Sequence, residues 1–434
     1  MDRGPRRRGF SGLEVVSEPF SATLTDMARR LVSDGAVSGR PAAGLPETRS
    51  TATRLPHRRL RGVDAGRAIA VLGMVMVHFG PNPRPDTALG DLYGVSHGRA
   101  SVLFALLAGV GVALLVGGRS HRQPGRRPSL VRGRLVLRGA LLLPLGLWLQ
   151  ELDHGALVIL QYYALYFLFA ALVLTLPNRW LLAGGAAVLV GGPLVYLCAG
   201  IVAPEWFTMR EPPTLDDPPY KIARDLLLTG RYPLVTWAAP LLVGLWIGRR
   251  DLASVWVRWG LLALGLAVAV AAALAADGLV ATFGATLEEP GGWGFAYLLT
   301  DEPHSQMPLW LLGSIGSACA VLGGMLLLAE RLPRLTWPLA ATGQLALSVY
   351  VGHLLLLDAY PGLLRHETVQ AASLTVGAFM VLAAAACALW RAVLRRGPLE
   401  TVLAVPWWIV ERLVQRVVRR LASGRSVREP EHGQ

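Results

Sequence analysis

The chain has 434 residues, of which 53% are hydrophobic and 16% charged, with a mean hydropathy of +0.45. Soluble globular domains carry about 25% charged residues, so the composition excludes an ordinary soluble protein and predicts an integral membrane protein. The net charge of +13 arises from 42 Lys and Arg, all Arg except Lys221. These cations lie between apolar runs. This placement favours a role in orienting membrane spans, with the positive loops in the cytosol, over a role in binding nucleic acid. The three Cys lie inside apolar runs and predict neither disulfides nor a Cys-ligated zinc site.

Residues 1–60 contain no long apolar run and are rich in Arg, Ser, Gly and Pro. This composition predicts a disordered basic cytosolic tail. A translation start later than Met1 is the alternative interpretation. The residues from 61 to 397 are predicted to form the transmembrane domain.

Ten apolar segments follow the tail, each near the ~20 residues that cross the ~30 Å hydrocarbon core of a bilayer. They predict an all-α fold, a polytopic transmembrane helical bundle of about ten spans. In chain order the segments are Val63–Phe79, Ser101–Val116, Leu135–Leu149, Ala156–Leu176, Leu181–Val202, Leu234–Gly248, Trp256–Phe283, Leu309–Ala329, Leu339–Leu357 and Ala371–Ala392.

The charges of the connecting loops alternate along the chain. If the amino terminus is cytosolic, the cytosolic loops are rich in Arg and their only acids are Asp251 and Glu330. The opposite loops hold most of the Asp and Glu residues, and their cations lie mainly around Lys221. This alternation predicts an even number of spans, with both termini on the cytosolic side of the cell membrane.

The pattern changes after Pro398, where Val410, Leu413, Val414 and Val417 recur at helical spacing and Arg412 and Arg416 share the polar side. This pattern predicts an amphipathic helix over 398–422 that lies on an anionic inner leaflet. A helix packed against the cytosolic ends of the bundle is the alternative. Residues 423–434 are predicted to be a disordered tail.

The first apolar segment carries polar residues where they are costly in a bilayer, which makes it the first place to look for function. Arg67 and His78 are eleven residues apart, so on a helix they share one face about 16 Å apart. Such a helix could hold an anionic cofactor at Arg67 and present an imidazole at its other end. Alternatively, Asp64 and Arg67 form an ion pair at the helix entrance, and His78 only marks its exit.

The stretch Asp64-x-x-Arg67-x-x-Ala70 resembles the first span of the YeiB-like membrane proteins and of the heparan-α-glucosaminide N-acetyltransferase family. Both belong to a wider group of transmembrane acyltransferases. The resemblance covers roughly Arg58 to Glu400. Three further stretches are similar to the YeiB-like pattern, namely Leu103–Gly109, Gly343–Tyr350 and Arg396–Glu400.

The resemblance implies an acyltransferase that moves an acyl group, above all acetyl, from cytosolic acetyl-CoA or another acyl-CoA to a saccharide or glycolipid outside. Arg67, with Asp64 and Arg138, is expected at the entrance that attracts the CoA phosphates. The heparan-type family implies a catalytic His between the first two spans, and His97 is the only one there. That family often has Asn at the position of His78, whereas the acyltransferase family 3 branch has His. His78 is therefore the first candidate for the catalytic base and His97 the second.

Three further residues are candidates for an additional site. His304 precedes the eighth segment in an acidic loop, His353 lies inside the ninth, and Gln161 lies in the fourth. An intramembrane imidazole is a functional candidate, although a hydrogen bond to a neighbouring helix explains it equally well. The turn Gln150–His154 offers a proton relay or a structural cap, and no metal site is expected there. Gly pairs inside the segments predict close helix packing.

Two other classes of function stay open at this point. Ten spans with polar residues at depth also fit a transporter or permease without covalent chemistry, and a non-catalytic membrane partner or sensor is the third hypothesis. The predicted partners are membrane lipids, acyl-CoA and the saccharide or glycolipid acceptor, without nucleic acid. The oligomeric state is left open, a homodimer included.

Overall fold

A computed structural model of the chain describes residues 60–80, 88–118, 128–208, 212–287, 293–364, 366 and 368–425, and no strand occurs among them. Within these ranges the helices of eight or more residues are α1 Arg61–Phe79, α2 Ala88–Ser96, α3 Arg99–Val116, α4 Pro128–Glu151, α5 Leu160–Val173, α6 Asn178–Val202, α7 Leu234–Gly248, α8 Val255–Leu287, α9 Pro308–Arg331, α10 Trp337–Gln344, α11 Ala346–Ala359, α12 Val369–Val393 and α13 Pro398–Arg425. Shorter turns of helix are Glu205–Thr208, Pro219–Arg224, Asp225–Thr229, Phe295–Leu299 and Pro361–Leu364.

Nine of the ten predicted segments each fall on one helix and the ninth in chain order falls on two, and the all-α transmembrane fold class is confirmed. Among the described residues, 6 helices are long and apolar enough to span a membrane, or up to 8 if two bent pairs each count as one span. The count of ten is not confirmed, because α5 has only 14 residues and α4 carries Arg132, Arg134 and Arg138 in its first half.

Helix α1 occupies the centre of the bundle, where it contacts α3, α9, α10, α11 and α12. Small side chains allow this close approach. A methyl group at Gly62 would lie 2.6 Å from the Cα of Leu326 in α9, and one at Gly343 in α10 would overlap the carbonyl oxygen of Asp64. Because helices surround α1, its polar side chains lie against neighbouring helices, with Asp64 buried and with Arg67 and His78 partly exposed.

Glycines also bring other helix pairs into contact. A methyl group at Gly109 of α3 or at Gly244 of α7 would overlap a backbone carbonyl of the other helix. Gly192 of α6 meets Val235 of α7 in the same way, whereas Gly191 faces no atom within 4 Å. The prediction of close packing at these glycines is confirmed for most of them.

The ninth predicted segment is broken at Leu345, where α10 and α11 meet at an angle of 76°. The Glu400 side chain, in the first turn of α13, closes this break. Its carboxylate accepts hydrogen bonds from the backbone N–H groups of Leu347 (2.9 Å) and Ser348 (3.1 Å) and from the Ser348 hydroxyl (2.6 Å). A carboxylate at a helix amino terminus is favoured by the helix dipole. The hydrogen bonds of Glu400 thus link Gly343–Tyr350 and Arg396–Glu400, the two late stretches that carry the family resemblance.

The described chain divides into two compact units. One unit, Arg58–Val405, contains the helical bundle. The other includes the part of α13 from Pro406 onward. The helix predicted over 398–422 is present and extends to Arg425, while its place on a membrane surface stays a prediction. Of the two predicted tails, residues 1–60 and 423–434, only Leu60 and residues 423–425 lie within the described residues.

Candidate active site

At one end of α1, Asp64 and Arg67 form an ion pair of 3.0 Å between Oδ1 and Nη1. The Asp64 side chain is 4% exposed, whereas that of Arg67 is 27% exposed. The guanidinium packs against Gly111 of α3, where a methyl group would lie 2.6 Å from Nη2. The predicted i,i+3 pair is therefore present, and the larger exposure of Arg67 shows that pairing does not close off its guanidinium.

Arg138 approaches Arg67 from α4. It interacts electrostatically with Arg67 and Glu400, and its guanidinium carbon lies 5.0 Å from the ring centroid of Phe167. The buried hydroxyl of Tyr163, near both cations, has no hydrogen-bond partner within the described part of the chain. Arg138 itself retains exposed surface. We call Arg67, Arg138 and Tyr163 the basic end of the site.

Arg138 belongs to a cluster of arginines between residues 126 and 138, in which Arg132 differs from Arg138 in its contacts. Arg132 donates to the carbonyl oxygen of Ala171 (3.0 Å) and to the Thr175 hydroxyl (2.9 Å), so it caps the carboxy-terminal end of α5. Arg126 and Arg127 lie outside the described residues. The chemistry expected of the cluster thus falls mainly on Arg138.

At the other end of α1, His78 meets His353 of α11. His78 Nδ1 and His353 Nε2 are 2.9 Å apart, within hydrogen-bond distance. The two rings are stacked with their centroids 5.2 Å apart. His353 is fully buried, whereas His78 is partly exposed. We call these two residues the inner pair.

Further contacts fix the position of the inner pair. The Tyr350 ring meets that of His353 at 5.2 Å, and the Tyr350 hydroxyl accepts a hydrogen bond from the Ile159 backbone N–H (3.1 Å). Gln161, two residues after Ile159, is fully buried, and neither polar atom of its side-chain amide has a hydrogen-bond partner among the described residues. Because an unpaired buried amide is costly, Gln161 stays a candidate for ligand contact.

The polar side chains of Gln150 and His154, at the turn between α4 and α5, contact nearby backbone groups. His154 is fully buried, its Nε2 lies 2.8 Å from the Leu149 carbonyl oxygen, and its Nδ1 accepts a hydrogen bond from the Ala156 N–H (3.0 Å). Gln150 accepts from the Val158 N–H (2.8 Å). Of the two interpretations of this turn, the contacts favour the structural cap over the proton relay.

A second pair of histidines lies where the loops before α3 and α9 meet. The rings of His97 and His304 pack edge to face, with centroids 5.8 Å apart. The His304 ring also contacts those of Tyr232 (5.4 Å) and Trp310 (5.8 Å). We call His97 and His304 the mouth pair, and the mouth is the region formed by this pair with Arg231, Tyr232 and Trp310.

The loop that carries His304 is held by Gln306, a residue that the sequence did not single out. Gln306 is fully buried, and its Oε1 accepts hydrogen bonds from Trp237 Nε1 (2.7 Å) and the Thr236 hydroxyl (3.0 Å). Its Nε2 donates to the carbonyl oxygens of Arg231 (2.9 Å) and His304 (3.2 Å). Gln306 therefore joins the loops before α7 and α9.

The charge state of His304 follows from its surroundings. Burial, then the positive charge of Arg231 and the nearby His97, lower its pKa from the ordinary 6.5 to about 3. Each of these factors disfavours the imidazolium. His304 is therefore neutral at physiological pH.

Two family models match the chain. The model described as heparan-alpha-glucosaminide N-acetyltransferase, catalytic, matches residues 59–279, which include α1, α3 and His97. A protein family of unknown function, DUF418, matches residues 249–408, which include His304, His353 and Glu400. No curated protein matches the chain.

The fold and the matches define a membrane protein of an acetyltransferase class. The first match covers just over half of the chain, so this protein belongs to the heparan-alpha-glucosaminide N-acetyltransferase catalytic family. The second match confirms the YeiB-like resemblance of the later motifs. Membership favours the acyltransferase hypothesis, and nothing supports the transporter alternative.

Proposed function

We propose that this protein transfers an acyl group, acetyl first of all, from acyl-CoA on the cytosolic side to a hydroxyl or amine of a saccharide or glycolipid on the other side. The observation that carries the proposal is the layout of α1, the central helix of the matched region. It places Arg67 and His78 about 16 Å apart along one face, and each residue meets polar side chains from other helices.

The basic end supplies the chemistry to hold the donor. CoA carries phosphates, and Arg forms charge-assisted, often bidentate hydrogen bonds with phosphate. Arg67 and Arg138 bring two cations together, and the Tyr163 hydroxyl adds a donor without a partner among the described residues. An extended acyl-CoA arm bound there would run along α1 toward His78.

His353 supports His78 as the general base. Nδ1 of His353 is buried without a hydrogen-bond partner among the described residues, and its Nε2 lies 2.9 Å from His78 Nδ1. A proton on His353 Nδ1 leaves Nε2 to accept from His78 Nδ1–H, and His78 then carries its lone pair on Nε2. This is the tautomer that a base requires.

The reaction follows from that tautomer. His78 Nε2 takes the proton of the acceptor hydroxyl or amine as its oxygen or nitrogen bonds to the acyl carbon. The carbon–sulfur bond of the thioester breaks, and CoA leaves as a thiol after the proton returns from His78. The proposed step uses only the side chain of His78 and the two substrates.

Orientation and assembly belong to the same proposal. The basic end would face the cytosol and the inner pair the outside, with both termini cytosolic in the cell membrane. Lipids and acyl-CoA are the partners that this arrangement requires, and the oligomeric state stays open.

The donor site can be tested by acetyl-CoA binding to the purified protein in detergent. We expect Arg67→Ala to weaken binding about 10- to 100-fold, since a hydrogen bond to a charged group contributes about 1.5–3 kcal/mol. Arg67→Lys keeps the charge beside Asp64 but loses the planar fork, so it should bind at an intermediate level. The control is Arg334→Ala, at an exposed position between α9 and α10. Wild-type affinity in both Arg67 variants would contradict the proposed donor site.

A further inference from the structure

Three helices begin at the mouth. The residue before α3 is Gly98, the one before α7 is Pro233, and the one before α9 is Met307. These helices have 18, 15 and 24 residues, long enough for each amino-terminal end to carry a partial positive charge of about +0.5. Contacts hold the three starts together, because Gly98 packs against His304 and Trp310, and Gln306 bonds the Arg231 carbonyl.

Arg231 adds a full positive charge to this region. Its main chain is fixed on both sides, by the Tyr162 hydroxyl (3.3 Å) and by Gln306 (2.9 Å). No carboxylate among the described residues forms an ion pair with it. The nearby Asp225 is paired with Arg224 at 3.0 Å, and Glu302 is exposed. Within the described part of the chain, the mouth therefore carries a positive charge that no carboxylate pairs.

Buried polar nitrogens of the mouth have no hydrogen-bond partner in the described part of the chain. They are Nε of Arg231, Nδ1 of His304 and Nε1 of Trp310. Trp310 is 1% exposed, and a methyl group at Gly98 would lie 2.8 Å from its Cζ2, on the same edge of the indole as Nε1. Its N–H edge therefore faces the start of α3. Trp237, whose ring centroid is 5.9 Å away, has its N–H satisfied by Gln306.

The loop that carries His304 adopts an unusual backbone conformation. His304 and Gln306 have φ angles of 62° and 69°, in the left-handed region that non-glycine residues rarely adopt. Such conformations persist where the surroundings over-determine them, and they are concentrated at ligand-binding and active sites. Here the four hydrogen bonds of Gln306 hold the loop in place.

We propose that the mouth binds an anionic group, a carboxylate or a phosphate, through Arg231, the Trp310 N–H and the starts of α3, α7 and α9. An anion would satisfy the buried donors and complement the three helix ends. Neutral His304 can donate to the same group or accept from its attached hydroxyls. The assignment of this group to the acceptor rests on the proposed function, whereas the anion site itself does not.

The test measures ligand-induced thermal stabilisation of the full-length protein in detergent at constant ionic strength. The probes are glucuronate, inorganic phosphate and, as the uncharged match to glucuronate, glucose. We expect glucuronate and phosphate to bind and glucose to bind far more weakly. Arg231→Gln should weaken glucuronate binding about tenfold or more, and Trp310→Phe by about 2- to 10-fold. Arg334→Gln is the matched arginine control and should leave binding unchanged.

Equal stabilisation by glucose and glucuronate, or wild-type glucuronate binding in both variants, would overturn the proposal. Nanodiscs distinguish the source of the anion. If glucuronate binds equally well in nanodiscs of phosphatidylglycerol and of phosphatidylcholine, the site serves a soluble or acceptor-borne anion. If phosphatidylglycerol nanodiscs abolish glucuronate binding, a lipid headgroup fills the site. Acetyl-CoA binding is measured on the same samples. Acetyl-CoA binding without anion binding at the mouth would overturn the anion-site proposal and leave the donor site intact. Anion binding without acetyl-CoA binding would contradict the proposed donor site and leave the anion site intact.

Discussion

In the inner pair, two imidazole nitrogens lie 2.9 Å apart, whereas in the mouth pair the rings meet edge to face at 5.8 Å. The first arrangement allows one proton to be shared between the two rings. Each pair leaves one ring nitrogen without a hydrogen-bond partner among the described residues, Nδ1 of His353 and Nδ1 of His304, and that of His304 lies near the cation Arg231. The difference fits the tasks that we propose for the two pairs, proton transfer in the bundle and ligand binding at the mouth.

The largest effect should separate the two pairs directly. His78→Ala should reduce acetyl transfer by about 10²- to 10⁴-fold, the usual contribution of a general base, while acetyl-CoA binding stays intact. His97→Ala should reduce it far less. Transfer to water, measured as release of CoA thiol from acetyl-CoA, gives a readout that needs no known acceptor. Full activity of His78→Ala together with loss of activity in His97→Ala would reverse the roles of the pairs.

A smaller effect should come from His353, which acts on the reaction only through His78. His353→Met removes the acceptor of the His78 proton at similar volume, so the rate constant for CoA release should fall by about 10- to 100-fold, because a hydrogen bond to a group that becomes charged contributes about 1.5–3 kcal/mol. His353→Gln supplies an amide oxygen in place of Nε2 and should recover much of the rate. The KM for acetyl-CoA should change little in either variant. A purely structural role would instead lower the rate and stability together, without rescue by Gln.

The smallest effect should be on stability at the mouth. The folded pKa of His304, about 3, lies below the ordinary 6.5, so the unfolded chain takes up a proton there that the folded protein does not. Stability should therefore fall as the pH drops from about 6.5 toward 3. In His304→Gln this component is missing, so its melting temperature should fall less between pH 7 and pH 5 than that of the wild type. Parallel curves for the two proteins would show that folding does not lower the pKa of His304.

Local patterns predicted much of the fold. The apolar runs gave the positions of the helices, and the glycine pairs gave several of the close contacts. The ion pair of Asp64 and Arg67 follows from their spacing on one helix. The bend at Leu345 was not predicted, because Glu400 stabilises it from a distant part of the chain.

The site itself was predicted only in part. Arg67 and His78 stood out because their spacing places them on one face of α1. The bond between His78 and His353 joins residues 275 positions apart, and no local pattern carries that information. Gln306 gave no signal either, since its role depends on a left-handed backbone and on hydrogen bonds to four other loop or helix residues. Arg231 and Trp310 are recognisable only once three helix starts are brought together.

The central claim is that α1 holds acyl-CoA with its phosphates at one end and its thioester at the other. A cryo-electron microscopy map of the full-length protein with a non-hydrolysable acetyl-CoA analogue tests it most directly. We predict phosphate density beside Arg67 and Arg138, and the acyl carbon within reach of His78 Nε2. Phosphate density at the mouth, beside Arg231 and His304, with the basic end empty, would contradict the claim.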